Sequence, residues 1–381
     1  MDAQRRVEAM LGRLVDEGRE IGLQVAAYLD GELVIDAWAG SADPGRGRAV
    51  DGDTLLHLFS AGKGVTATAV HVLAERGVLA YDTPIAEYWP EFGTRGKERI
   101  TVRHALTHSA GVPHLPAGTS LLDLCDWDRT CAMIADLEPV RGPGSTSGYH
   151  GFTFGWLLGE VVRRADGRPF KQVVRDEVTG PLGIADSLAP MVDAAMAPRM
   201  AVHADDGTGV STAPLSTALE TSPYPYSTGP NDPRFQRACM PAGVNGSARG
   251  LARMYAALAN GGELDGVRLL SPKSVAAASA TAVDGVDPIL GRPVTRALGY
   301  ALGEPGSPMA HRSAFGHQGT GGAIGFADPT RNFAFALTKN NLTHDNSATG
   351  TANIITREVR TTLNLSEPSH DERRTPSPSD T

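Results

Sequence analysis

The chain is short of lysine, short of cysteine, and has no long apolar run. Its 35 basic residues are outnumbered by 43 acidic ones, for a net charge of −8, and only five of the basic residues are lysine. That balance leaves no basic stripe of the kind that binds nucleic acid, so no nucleic-acid partner is expected. Three cysteines, Cys125, Cys131 and Cys239, are too few and odd in number for a disulfide framework. No segment reaches the length of a membrane span. The opening MDAQRRVEAMLGRLVDEG lacks the apolar centre of an export signal, so a cytoplasmic location and no membrane partner are expected. There is no H-E-x-x-H and no Cys/His pair at metal-ligand spacing, so no metal or other cofactor is expected, and His57, His104 and His108 read as structural. With 381 residues, 41% hydrophobic and 20% charged, the chain can build a large core without staples.

Residues 3–17 carry Val7, Met10, Leu11 and Leu14 at helical spacing. Two apolar runs on either side of Asp30-Gly31 form a hairpin signal. A run of small and apolar residues from Ser60 to Arg76 reads as a buried helix, closed by Gly77. Residues 80–285 read mostly as helical fragments and loops. FTFGWLLGEVVRRADG and SARGLARMYAALANGG are the clearest helices, and a Pro/Ser/Thr/Gly-rich stretch spans 205–243. Strand patterns return at ALGYAL, GAIGFA and FAFALT, and a last helix covers about 346–363. The fold class expected is α/β plus all-α, an antiparallel sheet flanked by N- and C-terminal helices with a large helical insertion. Residues 1–80 and 286–365 would form the discontinuous α/β domain and 81–285 the mainly helical inserted domain. The polar, Pro-rich 366–381 would be a disordered tail.

One of the scarce lysines, Lys63, falls in LHLFSAGKGVTATAV, three residues after Ser60. On a helix the two share a face. A serine at a helix start has free N–H groups beside it, and an amine whose charge is disfavoured by burial can take its proton. The plainer alternative is an N-cap serine with a surface lysine. In RGPGSTSGYHGFTFGW, Tyr149 precedes a helix, where its phenol either packs as a staple or pairs with the amine, a neighbouring ammonium favouring phenolate. In FGHQGTGGAIGFADP, His317, Gln318 and Gly319 precede Thr320 and a glycine-rich strand. Such a strand either bulges or lets a ligand lie close to backbone. Tyr224, Tyr226 and Phe235, in the long loop, either line an acyl pocket or anchor the loop.

SxxK, then a tyrosine before a helix, then (Lys/His)-x-Gly on a strand resemble, in that order, the class C β-lactamase and penicillin-binding-protein superfamily. The segments LFSAGKGVTATAVHVLAERGVLAYDTPIAEYWPEF, ITVRHALTHSAGVP and GSARGLARMYAALANGGELDGVRLLS extend the likeness over most of residues 50–330. The resemblance implies a β-lactamase/transpeptidase-like fold, Ser60 as acylated nucleophile, Lys63 as its proton partner and Tyr149 as general base or acid. The backbone N–H groups of Ser60 and Thr320 would form the oxyanion hole. Two departures stand out. Tyr149-His150-Gly151 replaces Tyr-x-Asn, and His317-Gln318-Gly319 replaces Lys-Thr-Gly, exchanging a fixed cation for a group that ordinarily titrates near ~6.5. Both are more similar to the family VIII carboxylesterases. The function expected is therefore a serine hydrolase of small-molecule carboxylic esters acting through an acyl-enzyme, with His317, Gly319, His150, Tyr224 and Tyr226 binding substrate. The alternatives are a transacylase with an amine or alcohol acceptor, a β-lactamase or D-amino-acid peptidase, and a non-catalytic binding module.

Overall fold

The computed structural model describes residues 2–205, 227–343, 345 and 347–365. Helix α1 (Ala3–Asp16) buries Val7, Leu11 and Leu14 and leads into strands β1 (Gly22–Leu29) and β2 (Glu32–Asp43). Their connection puts Asp30 at φ 51° and Gly31 at φ 83°, the paired positive φ values of a tight hairpin whose twist matches its strands. Strand β3 (Arg48–Ala49) pairs with the far end of β2. After helices α2 (Lys63–Glu75), α3 (Thr153–Asp166) and α4 (Ala248–Ala259) the chain returns to the sheet. The returning strands are β4 (Val283–Asp287), β5 (Arg292–Arg296), β6 (Ala301–Leu302), β7 (Phe315–Gln318), β8 (Ile324–Asp328) and β9 (Phe333–Lys339). Helix α5 (Thr351–Thr362) follows. The nine strands are ordered β3-β2-β1-β9-β8-β7-β6-β5-β4, antiparallel throughout.

Strand β1 sits mid-sheet and is covered on both faces, which is why it reads as an almost unbroken apolar run. Val25 and Ala27 face α1 and α5, in a layer with Ile355 and Val359; Arg6 on α1 meets Glu358 on α5 at 2.9 Å. Ala26 faces the other core, shared with α2, α3 and α4. The small side chains Ala26, Ala334 and Ala336 let α4 lie close to the sheet. Helix α4 falls within the stretch assigned from sequence to the helical insertion and strand β4 straddles its boundary at 285, yet α4 packs on β1, β8 and β9 and β4 is an edge strand of the sheet. The ALGYAL strand shortens to Ala301–Leu302 and the last helix begins at Thr351. Among the described residues, no helix is long and apolar enough to cross a membrane.

Candidate active site

Ser60 lies in the 3-10 turn Phe59–Gly62 that runs directly into α2. Phe59, just before it, holds φ 48°, a conformation costing an aromatic residue about 1–3 kcal/mol. The rings of His57 and His203 stand edge-on to Phe59, at 4.7 and 6.2 Å. Ser60 is thereby left half-exposed while Lys63, one turn on, is fully buried. The glycines of Ser60-Ala61-Gly62-Lys63-Gly64 have a steric reason. A Cβ on Gly62 would strike the backbone N of Val244, and one on Gly64 the Tyr255 hydroxyl.

Three groups converge. Lys63 Nζ donates to Ser60 Oγ at 2.9 Å, and the Tyr149 hydroxyl donates to the same oxygen at 2.7 Å. Among the described residues Lys63 has one further oxygen partner, Ala242 O at 3.3 Å, and no carboxylate. Burial therefore lowers its pKa to about 7, putting a neutral amine within reach at ordinary pH. Burial also pushes Tyr149 up to about 12, partly offset by its bond to Ser60 and by Arg296. The phenolate expected from sequence is thus corrected to a neutral phenol: desolvation outweighs the nearby positive charge, and the amine is the group that can be basic in the resting site.

Strand β7 ends against the serine turn. A Cβ on Gly319 would strike Leu58 O and crowd Ala61 N, so only glycine allows this approach. Thr320 follows in the turn Thr320–Gly322, which adjoins the Phe59–Gly62 turn. Gly319→Ala is expected to cost about 1–3 kcal/mol of stability. It should also lower turnover by displacing Thr320, read as a fall in both Tm and kcat/KM; an unchanged kcat/KM would mean the β7 end does not set site geometry.

His317 is buried, its ring 6.0 Å from that of Tyr149. Burial, with Lys63 nearby, brings its pKa to about 3, so it is a neutral imidazole whose Nδ1–H donates to Gln318 O at 2.6 Å. Burial thus takes the group at this position out of the range where an imidazole ordinarily titrates. His150 departs further from expectation. Its Nε2 accepts from Val112 N at 3.2 Å and its Nδ1–H donates to Gly148 O at 2.6 Å, so both ring nitrogens are taken by backbone. Phe235 sits in the short helix Pro233–Arg237, buried against His57 at 5.3 Å. Tyr224 and Tyr226 lie outside the described residues. Two further residues adjoin the site: His108, read from sequence as structural, and Arg296, which no local motif marks. His108, at φ 56°, stacks between Tyr149 at 5.0 Å and Phe154 at 4.8 Å, and Arg296 lies 5.9 Å from the Tyr149 ring.

A buried amine and a phenol that both donate to one serine oxygen at a helix start form the arrangement of a serine hydrolase. The chain belongs to the β-lactamase family, whose model matches residues 7–357. It is 36% identical over 340 residues to the esterase/beta-lactamase LipL of Mycobacterium tuberculosis, covering 84% of this chain and 77% of that protein. The crystal structure of a family VIII carboxylesterase superposes with a TM-score of 0.86 at 32% identity, over 94% of this chain and 97% of the other. A penicillin-binding protein homologue from Caulobacter crescentus superposes at 0.83, also at 32% identity, over 95% and 96%.

Proposed function

We propose that the protein hydrolyses small-molecule carboxylic esters through an acyl-enzyme on Ser60. The observation that carries this reading is the single serine oxygen held by both the Lys63 amine and the Tyr149 hydroxyl. In the reaction, Ser60 Oγ bonds to the ester carbon as its proton passes to neutral Lys63 and the carbonyl electron pair moves onto oxygen. Backbone N–H groups of Ser60 and Thr320 receive that oxyanion. On collapse the C=O re-forms and the C–O bond to the alcohol breaks. Tyr149 protonates the departing oxygen and regains a proton from the Lys63 ammonium. Water then repeats the cycle on the acyl-enzyme. An amine or alcohol entering in place of water would make the same enzyme a transacylase.

Esters are favoured over β-lactams and D-amino-acid peptides for a physical reason. A free carboxylate on the substrate would want a cation at position 317, and the neutral, buried imidazole there supplies none. The resemblance to a family VIII carboxylesterase supports the same choice. Intact-protein mass spectrometry after exposure to a fluorophosphonate or a p-nitrophenyl ester tests it, with one adduct expected, mapping to Ser60. No adduct would favour a non-catalytic acyl-binding module, and nitrocefin turnover faster than ester turnover would favour a lactamase. Adding amine or alcohol acceptors is expected to leave hydrolysis the main outcome; product dominated by the transferred acyl group would reverse that assignment.

A further inference from the structure

The proposed cycle forms a phenolate at Tyr149 in a buried setting where burial alone makes phenolate costly. The groups facing the ring come from several elements. Lys63 on α2 has its Nζ 5.2 Å from the ring centroid, His108 follows the Val102–Leu106 helix, and His317 is on β7. Both histidines are neutral, their pKa values lowered by burial. On the hairpin side stand Arg296 and Arg292 of β5 and Asp287 of β4. Of these, Arg296 is the buried, permanently charged group set against the ring, with its guanidinium carbon 5.9 Å from the centroid.

Arg296 also grips the loop that carries the tyrosine. Its Nη1 donates to Ser147 Oγ at 2.6 Å, and the Ser147 hydroxyl donates on to Thr107 O at 2.7 Å. Its other nitrogen pairs with Asp287, a fully buried carboxylate. The second Asp287 oxygen accepts from the N–H groups of Ile289 and Leu290, at 2.7 and 3.0 Å, fixing the turn between β4 and β5. That turn bears on the same loop, for a Cβ on Gly148 would press on Ile289. The edge hairpin thus braces Ser147-Gly148-Tyr149 by contact and by charge together.

We propose that Arg296, carried on the edge hairpin and held in place by Asp287, is the positioning residue for Tyr149. It holds the tyrosine loop through Ser147 and supplies the fixed positive charge against which the phenolate forms when the leaving alkoxide takes its proton. This rests on the reading of Tyr149 as the acid for the leaving group. Strand β5 thus adds a fixed positive charge to the Lys63 ammonium that the cycle forms beside the ring, the Asp287 carboxylate offsets part of it, and position 317 on β7 stays neutral.

The leaving group separates this role from a merely structural one. An alkyl alkoxide needs the tyrosine's proton to depart; a p-nitrophenolate does not. The test compares kcat/KM for an ethyl and a p-nitrophenyl ester of the same acid, because kcat/KM reports acylation alone. The variants are Arg296→Met, Arg296→Lys, Tyr149→Phe, and the double Arg296→Met/Asp287→Asn, which leaves no unpaired buried carboxylate. Arg296→Met and the double variant are expected to lose on the order of tenfold or more on the ethyl ester and much less on the p-nitrophenyl ester. Tyr149→Phe should show the same split more strongly, and Arg296→Lys should recover part of the ethyl-ester rate. If Tyr149→Phe splits the substrates but the Arg296 variants lower both equally or neither, this inference fails while the proposed mechanism stands. If Tyr149→Phe shows no split, both fall.

Discussion

Ser60→Ala is expected to lower ester turnover by on the order of 10⁴-fold or more, since removing a nucleophile leaves only the binding and oxyanion contributions. The variant should stay folded. Ser60 is half-exposed, and the groups that lose its hydroxyl are an amine still in contact with Ala242 O and the Tyr149 phenol. Loss of those hydrogen bonds should change stability by about 1 kcal/mol. Steady-state hydrolysis and a thermal melt on the same sample check both halves. A variant that keeps even a tenth of the parent rate would remove Ser60 from the chemistry.

Lys63→Met carries the second large effect, and its sign differs between activity and stability. Turnover should fall by on the order of 10² or more with the loss of the proton acceptor. In the parent enzyme, kcat/KM should climb with pH and level off above about 7, where the amine becomes neutral. That rising limb should vanish in the variant. Stability moves the other way. Below about pH 7 the folded parent must hold an ammonium that burial disfavours, whereas the unfolded chain ionises its lysine freely up to the ordinary amine pKa. The shift from 10.5 to about 7 corresponds to about 5 kcal/mol at acid pH. The penalty is complete below the folded pKa and fades as pH rises toward the unfolded one. Methionine has nearly the same shape and no charge. The variant should therefore melt above the parent near pH ~6, with the gap closing as pH rises. A lower Tm at acid pH would mean the amine is not held against its solvation.

Much of this molecule is legible along the chain because the signals are local. The Asp30-Gly31 hairpin, the helix that Gly167 ends at φ 86°, and the buried α2 of mostly small and apolar residues each follow from patterning and a cap or turn residue within a few positions. Ser60 and Lys63 are legible for the same reason, one helical turn apart. The strand pair β4–β5 left a weaker trace. Its Asp287-Pro288 and Gly291 turn is visible in VDGVDPILGRPVTR, but nothing nearby shows that its outer face closes a sheet begun at residue 22.

Features with local causes can be read along the chain: most of the elements, the serine three residues before its amine, and the two departures at His150 and His317. What those residues are chemically comes from packing. Burial makes Lys63 a base near neutral pH, keeps Tyr149 a phenol and His317 uncharged, and turns both nitrogens of His150 onto backbone. It also sets Arg296, 147 positions further along than Tyr149, against the tyrosine ring. Protonation depends on desolvation and on which charges come within a few ångströms, and both are properties of packing between segments that the chain order keeps far apart.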